Sequence, residues 1–524
     1  MKSPFLHPFC FALFVPLAFM AANSNRFPLS VLVLPVAVIF TSVLLVLIFA
    51  NLTVKDMHRV SIFISANSLY FFSYGYLSDI FKNIRFSFLW LEFGYNKILI
   101  IIWLLLLLIL TLFLRTRKRG HAAFTRFLNV SGSILITLSL LRLAFAEFQN
   151  DTTPVEPIAT QYPGQFSQSE SPPENPPDII HIILDAYPRS DILKETFLHD
   201  NGSFEDFLRT RGFHINKNSY SNYISTDQSL ASMYNMDYLH NLFPHANPQS
   251  SDYKPLIDIK MQGKVFTFLR KNGYRSVYLA NGLESVEPQH VDMFLSPTGS
   301  VMGLYLNHFQ AALLHLTPLP LLNSLFKSSI LDEHKAHRER ILFAFDFLKN
   351  SHTISGPKYL LVHLISPHDP LIFGPDGEHR DVGFSYWELL ENDPDKLIDA
   401  FRDQVIFMNK EVIETVESIL DNNPQHPPVV LIQSDHGSSM IAPLDEHPCK
   451  NFLRERFGVF NAVYLPSQDY SGWYDNITLV NTFRVLFNDL FKMDLPTKED
   501  RIYFTSTKLP YDYFEITDSL VRKD

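Results

Sequence analysis

The chain has 524 residues, enough for several domains, and its formal net charge of −10 argues against a nucleic-acid-binding protein, which would carry a basic surface. Hydrophobic residues make up 47% of the sequence, and nearly all of the long apolar runs precede Phe148. After Pro176 the composition is that of a soluble domain. The two cysteines, Cys10 and Cys449, lie in an apolar and a polar region, so we predict no disulfide and no thiolate metal site.

Five apolar segments before Phe148 have the character of membrane-spanning helices. The strongest is KILIIIWLLLLLILTLFL, residues 97–114, whose roughly 17 apolar side chains suffice to cross a bilayer core. The others, in chain order, are residues 8–22, 28–51, 60–77 and 127–148. The first follows Lys2 and ends near AAN, so a cleaved signal peptide is the alternative to an uncleaved first helix.

Basic residues predict the orientation of these segments. Four of them directly follow the fourth segment: Arg115, Arg117, Lys118 and Arg119. The positive-inside rule places this loop in the cytoplasm, and Lys2, Lys55 and Arg59 then fall on the same side. We therefore predict a multi-pass protein of the cell (inner or plasma) membrane, with everything after Phe148 on the extracytoplasmic side. Cleavage of the first segment would not change this prediction.

Residues 149–177 are dominated by proline, serine and amide side chains and have no apolar period, which is typical of a linker. The sequence thus divides into a transmembrane domain, residues 1–148, a linker, residues 149–177, and an outer domain, residues 178–524.

The outer domain alternates apolar runs of strand length with helical patterns. The runs are DIIHIILDAY at 178–187, VYLA at 277–280, KYLLVHLISPHDP at 358–370 and PPVVLIQSDHGSS at 427–439. Such alternation predicts an α/β domain with a mainly parallel sheet. Ligands gather at the carboxyl ends of parallel strands, so the residues that follow these runs are the candidates for chemistry.

Three of the strand ends carry acidic or imidazole side chains. Asp185 ends the first run, His368 follows the third, and Asp435 and His436 end the fourth, where Gly437 permits close backbone packing. An aspartate after a strand is more often a turn or cap residue than a ligand. The coincidence at three strand ends favours a ligand, and carboxylate with imidazole suits zinc or manganese. His363 alternates with apolar neighbours inside its strand, and we interpret it as structural.

A hydroxyl-rich stretch, SNYISTDQSLASMYNM at 221–236, allows two interpretations. Ser225, Thr226 or Asp227 could each be the N-cap of a helix that runs through Leu230 and Met233. Alternatively, one of the hydroxyls is a nucleophile at that helix N-terminus, where free backbone N–H groups favour an anion.

The motifs IIHIILDAY, STDQSLASMYN, HLISPHDP and LIQSDHG occur in the order found in the alkaline phosphatase superfamily, and the chain resembles its sulfatase-like branch over 178–503. Sulfatases open a helix with C-x-P-S-R, and Thr226, Asp227, Gln228 and Ser229 occupy the first four of these places. With several apolar segments before it, the chain looks most like lipoteichoic acid synthases and lipid A phosphoethanolamine transferases. Its fold is therefore expected to be alkaline phosphatase/sulfatase-like.

The resemblance implies roles for particular residues. Thr226 is the nucleophile, with Ser225 as the alternative, and Asp185, Thr226, Asp435 and His436 hold one divalent metal ion, which could be zinc, manganese or magnesium. His368 binds the substrate's phosphoryl group or assists the leaving oxygen. His447 in LDEHP is a second candidate for substrate binding or a plain loop histidine. No cysteine stands at the nucleophile position, which closes the formylglycine route of sulfatases, and no D-x-x-x-H precedes Asp435 to indicate a second metal.

Three functions are compatible with this pattern. The first is transfer of a phospho-headgroup from a membrane lipid to a glycan, lipid or polymer acceptor through a phosphothreonine intermediate. The second is a membrane-anchored hydrolase of phosphate or sulfate esters, in which water replaces the acceptor. The third is a non-catalytic membrane protein with a relic domain. The presence of every implied metal ligand argues against this third function.

Overall fold

The computed structural model describes residues 5–53, 56–81, 85–88, 91–116, 120–150, 175–283, 287, 291–297, 308–319, 333–380, 389, 393–440 and 449–520. The chain divides into two compact units. The first consists of Met1–Thr152 and Ser300–Glu333, and the second of Thr153–Gly299 and His334–Asp524. We call the second unit the outer unit. It is made of two stretches of the chain, which are separated by the part of the first unit that spans residues 300–333.

Five long helices form the beginning of the first unit, and they coincide with the five apolar segments. They are α1 (His7–Asn23), α2 (Val33–Thr53), α3 (Met57–Phe81), α4 (Tyr95–Thr116) and α5 (His121–Asn150). A short antiparallel hairpin of β1 (Arg85–Phe88) and β2 (Leu91–Gly94) precedes α4.

Three stretches of the described chain are helical, long and apolar enough to cross a membrane: Leu29–Leu52, Ile98–Thr116 and His121–Phe148. Helix α1 is apolar but has only 17 residues, and α3 carries more polar side chains. The count of five spans stays a prediction. Most of the predicted linker (residues 151–174) lies outside the described residues, as do five of the basic residues that predict orientation: Lys2, Lys55, Arg117, Lys118 and Arg119.

The outer unit is built on a seven-stranded sheet. Its strands are β3 (Ile179–Leu184), β4 (His214–Ile215), β5 (Arg275–Leu279), β6 (Met293–Leu295), β7 (Lys358–Leu364), β8 (Val429–Gln433) and β9 (Asn461–Tyr464). They lie in the order β4-β9-β8-β3-β7-β5-β6. The five strands from β8 to β6 are parallel, whereas β9 pairs antiparallel with both β8 and β4. The predicted mainly parallel sheet is thus confirmed. A separate antiparallel pair, β10 (Tyr503–Ser506) and β11 (Leu509–Glu515), lies near the C-terminus.

Helices cover both faces of this sheet. The described helices that follow α5 in sequence, of which all but α12 belong to the outer unit, are α6 (Ser190–Thr196), α7 (Gly202–Thr210), α8 (Thr226–Asn235), α9 (Leu239–Leu242), α10 (Lys254–Met261), α11 (Lys264–Lys271), α12 (His308–His315), α13 (Glu333–Lys349), α14 (Pro394–Asp421), α15 (Lys450–Phe457), α16 (Leu479–Phe491) and α17 (Thr517–Leu520). Because side chains alternate along a strand, Ile180 and Ile182 of β3 pack with α13 and α14, while Ile179 and Ile183 pack with α8, α11 and α16. Burial on both faces explains why five of the six side chains of β3 are aliphatic, with buried His181 as the exception.

Helix α12 belongs to the first unit although it follows β6 in sequence. Its Phe309 and Leu313 are buried in one cluster with Met20 of α1 and Leu143 of α5. The Gly75 amide of α3 donates to the Leu316 carbonyl just after α12, at 3.0 Å. A segment that the sequence assigned to the outer domain therefore packs against the N-terminal helices.

Candidate active site

The order of strands brings the predicted site residues together. Strand β3 lies between β7 and β8, so the carboxyl ends of all three strands are neighbours. Asp185 directly follows β3, and its backbone amide donates to the Leu364 carbonyl at the end of β7, at 2.9 Å. The amide of His368 in turn donates to the Asp185 carbonyl at 3.0 Å. Asp435 and His436 follow β8 after one serine. One edge of the sheet thus carries all of these side chains.

Helix α8 brings Thr226 to the same edge. The helix begins at Thr226, and Ser225 is its N-cap with an extended backbone. The Ser225 hydroxyl donates to the Gln228 side chain at 3.0 Å, whereas Thr226 Oγ1 lies 3.0 Å from His436 Nε2. Of the two candidate nucleophiles, only Thr226 makes a hydrogen bond to one of the strand-end residues.

Asp185, Asp435 and His436 form a buried cluster suited to a cation. One ligand atom from each lies within 4.8 Å of the others, and each residue is at most 2% exposed. Asp185 Oδ1 and Asp435 Oδ2 have no hydrogen-bond partner in the described structure, which is strongly unfavourable for buried carboxylate oxygens. Both oxygens lie near His436 Nε2, at 3.6 Å and 3.4 Å. A divalent cation would satisfy all of these atoms, so the residues fit a metal.

The protonation of His436 also suits a ligand. Its Nδ1 lies 2.9 Å from the Gly437 carbonyl, which can only accept, so Nδ1 carries the proton and Nε2 presents a lone pair. Burial and the nearby Arg456 guanidinium lower the pKa of His436 to about 4, which keeps Nε2 unprotonated at neutral pH. Burial alone would raise the pKa of the Asp185 carboxyl, but the neighbouring His368 and His363 outweigh it and hold that pKa below its usual range. The two residues therefore offer a lone pair and a negative charge.

The backbone after His436 is held by α15. Arg456 donates from Nε to the Ile224 carbonyl at 2.7 Å and from Nη1 to the Gly437 carbonyl at 3.0 Å. It thereby joins the loop before Thr226 to the loop that carries Asp435 and His436. The Gly437 amide donates to the Arg456 carbonyl at 2.7 Å, and a Cβ at Gly437 would lie 1.9 Å from the Glu455 carbonyl oxygen. Only glycine allows this approach.

We expect Gly437→Ala to destabilise the outer unit by about 2 kcal/mol or more, because the new methyl group must displace backbone. Thermal unfolding would measure the loss. Gly202→Ala is the matched control, since its Cβ would meet only the end of the Asp200 side chain, at 3.0 Å. An equal effect of the two substitutions would contradict this account of Gly437.

His368 lies beside the cluster with a more open side chain, 38% exposed. Its ring centroid is 6.3 Å from that of His436, and its Nδ1 is 3.0 Å from an Asp369 carboxylate oxygen. Burial of the ring lowers the pKa of His368, but Asp369 and Asp185 outweigh it and raise the pKa to about 10. The raised pKa favours the imidazolium form of His368, which is a positive charge and a proton donor beside the cluster.

Two other histidines, His447 and His363, were assigned roles from the sequence. His447 lies outside the described residues, so its predicted role in substrate binding stays a prediction. His363 is buried, and its Nε2 lies 3.2 Å from Asp185 Oδ2, a contact that the structural interpretation did not foresee. No signal in the sequence indicated this contact, because it depends on β7 lying beside β3, where His363 pairs in register with Ile183, two residues before Asp185.

No protein-family model matches the chain, and no curated protein matches it. Solved structures do resemble it. The C-terminal periplasmic domain of EcEptC from Escherichia coli, in complex with Zn, is 13% identical with a TM-score of 0.43, and the match covers 68% of this chain and 96% of that domain. The integral membrane protein lipooligosaccharide phosphoethanolamine transferase A from Neisseria meningitidis is 14% identical with a TM-score of 0.39, and the match covers 94% of this chain and 96% of that one.

A sulfatase also resembles the chain. BT1596, a 2-O GAG sulfatase, is 12% identical with a TM-score of 0.39, and the match covers 63% of this chain and 73% of that one. The similar structures thus include a phosphoethanolamine transferase and a sulfatase.

Proposed function

We propose that the protein is a membrane-bound, metal-dependent transferase that moves a phospho-headgroup from a membrane lipid to a glycan, lipid or polymer acceptor. The observation that carries the proposal is the Thr226 hydroxyl at the N-terminus of α8, 3.0 Å from His436 Nε2 and beside two buried carboxylates with unsatisfied oxygens. The apolar helices of the first unit support a donor that resides in the bilayer.

Asp185, Thr226, Asp435 and His436 would hold one divalent ion, which could be zinc, manganese or magnesium. A bound divalent ion lowers the pKa of a coordinated hydroxyl and stabilises charge on phosphoryl oxygens. Two further features of the protein would support the reaction. The N-terminus of α8 favours negative charge near Thr226, and Arg456 holds the two loops together.

In the first step Thr226 Oγ1 attacks the phosphorus of the donor lipid. The Thr226 hydroxyl gives up its proton as the Oγ1–P bond forms, the P–O bond to the lipid's glycerol oxygen breaks, and that oxygen takes up a proton, so diacylglycerol leaves with no net change in protons. His368, which lies beside the cluster with Asp369 against its Nδ1, is suited to give that proton or to hold a phosphoryl oxygen. In the second step an acceptor hydroxyl attacks the phosphothreonine: a bond between the acceptor oxygen and phosphorus forms as the hydroxyl gives up its proton, the Oγ1–P bond breaks, and Thr226 Oγ1 takes up a proton.

Mass spectrometry of Thr226 after incubation of the membrane-embedded protein with phospholipid tests the proposal. We expect the peptide containing Thr226 to gain the mass of a phospho-headgroup, and the mass of the adduct identifies the transferred group. Addition of acceptor should remove the adduct and speed the release of diacylglycerol. Release of free phosphate ester at a rate independent of any acceptor would favour the hydrolase instead. An unmodified Thr226 alongside steady lipid turnover would contradict the intermediate.

The proposal requires the outer unit on the extracytoplasmic side. We expect a reporter fused after Phe148 to be active only outside the cytoplasm and one fused at Gly120 only inside, because Arg115 and its basic neighbours are retained in the cytoplasm. Paired fusions to alkaline phosphatase and a fluorescent protein measure both positions. Reversed activities would contradict the orientation and the use of an outer-leaflet donor.

A further inference from the structure

We propose that the first unit binds an acyl chain of an ester-linked membrane glycerolipid in a cavity between α1, α2, α3 and α12. The cavity has a volume of about 420 Å³, within the range of about 300–1,000 Å³ typical of small-molecule sites. All of its lining residues belong to the first unit. The inference therefore goes beyond the proposed function and holds whether or not the outer unit transfers a headgroup.

The walls of the cavity suit hydrocarbon. They are formed mainly by aliphatic and aromatic side chains, among them Val38, Ile39, Val43, Phe72, Leu313 and Leu314. Water in such a space would find few hydrogen-bond partners, so an apolar occupant is favoured. The helices around it expose apolar side chains to their surroundings, including Val38 and Val46 of α2. Lipid chains are the apolar molecules available there.

The wall contributed by α12 is packed closely against α3. The Gly75 amide donates to the Leu316 carbonyl, and a Cβ at Gly75 would lie 2.4 Å from the His315 carbonyl oxygen. Leu313, which faces the cavity, is also buried in the cluster that contains Met20 and Leu143. The cavity thus has a fixed wall on this side.

A polar group on α3 indicates an ester. The Asn67 side chain lines the cavity and forms no hydrogen bond to another described residue. An amide without a partner is strongly unfavourable in hydrocarbon. The carbonyl of an acyl ester would accept a hydrogen bond from Asn67 Nδ2 while the chain of the same lipid fills the apolar space. A free hydrocarbon offers this donor no acceptor, and the ether oxygen of an ether lipid is a weaker acceptor than an ester carbonyl.

The predicted orientation specifies the leaflet. Val38 lies near the beginning of α2 and Phe72 in the second half of α3, and both of those helix ends are extracytoplasmic by the positive-inside prediction. The lipid is therefore expected from the outer leaflet.

Photocrosslinking tests the site in the full-length Thr226→Ala protein, so that the outcome does not depend on catalysis. The probe is a phosphatidylethanolamine with a diazirine in one ester-linked acyl chain, incorporated into nanodiscs. We expect label in the α2 peptide around Val38 and its loss in Val38→Trp, whose ring fills the cavity. Val46→Trp is the matched control on the same helix, since Val46 is 51% exposed and Val38 55%, and only Val38 lines the cavity.

Competition with unlabelled lipid tests the ester. A diester phosphatidylethanolamine should displace the probe at lower concentration than its diether analogue, and Asn67→Leu, of similar volume, should abolish the difference. The Asn67→Leu measurement remains decisive if Val38→Trp does not fold. Equal displacement by the two lipids in the protein with Asn67 would overturn the assignment of an ester lipid. Label that Val46→Trp removes as fully as Val38→Trp would indicate ordinary surface lipid and overturn the site.

Discussion

Replacing Thr226 with alanine is expected to lower the release of diacylglycerol from phospholipid by at least about 10³-fold, because it removes the hydroxyl that lies 3.0 Å from His436 Nε2 and that we propose as the nucleophile. Thr226→Ser should retain part of the activity, since it keeps the hydroxyl. Lipid extraction and quantification of diacylglycerol from membranes that contain each variant measures the effect.

Ser225→Ala is the matched control for this loss. Its hydroxyl is one residue away but donates to Gln228 rather than to His436. Ser225→Ala should therefore keep most of the activity, with at most the loss of stability of about 1 kcal/mol that follows removal of an N-cap residue. Full activity in Thr226→Ala, or loss of activity in Ser225→Ala alone, would assign the chemistry to another residue.

Asp435→Asn is expected to affect stability in opposite directions with and without metal. In metal-free protein the Asp185 and Asp435 carboxylates are buried within 4.8 Å of each other, so removal of one charge should raise the midpoint of thermal unfolding. In metal-loaded protein Asp435→Asn should unfold at a lower temperature than the unaltered protein, because the variant loses a ligand and with it the stabilisation that metal binding confers. Metal affinity should fall by more than the roughly 10–100-fold typical of residues that only orient a ligand.

Thermal unfolding of the chelator-treated and zinc-, manganese- or magnesium-loaded full-length protein measures both effects. Asp237→Asn provides the control: it breaks an ion pair with Lys498 at 2.9 Å, outside the cluster, so it should leave the metal-induced rise intact. A metal-induced rise of equal size in Asp435→Asn and the unaltered protein would contradict Asp435 as a ligand.

The sequence predicted the strands whose side chains are buried on both faces of the sheet. The runs that became β3, β5, β7 and β8 are apolar because helices cover both faces of the sheet, and each was predicted. Strands β4, β6 and β9 have only two to four residues, and β4 and β6 lie at the edges of the sheet. Such short strands carry little periodic signal, which is why the sequence analysis did not identify them.

The residues of the site differ in how far the sequence alone could identify them. Asp185, Asp435 and His436 could be proposed from their place after apolar strands. Periodicity alone left Ser225 and Thr226 equivalent, since either could begin α8, and only the family resemblance distinguished them. The contact of His363 with Asp185 depends on β7 lying next to β3. That order of strands is a tertiary property with no local signal.

Residues 300–333 belong to the first unit although they lie in sequence between two stretches of the outer unit, and this affects how proteolysis could release the outer unit from the membrane. A protease that cuts within the predicted linker would break one covalent connection, but α12 would still be anchored through buried Phe309 and Leu313 among the N-terminal helices. Shedding of the outer unit would need further cuts on both sides of residues 300–333. By the same reasoning, a water-soluble fragment that begins near Asp178 would expose the apolar surface of α12 and aggregate unless this segment were excised and replaced by a short polar loop.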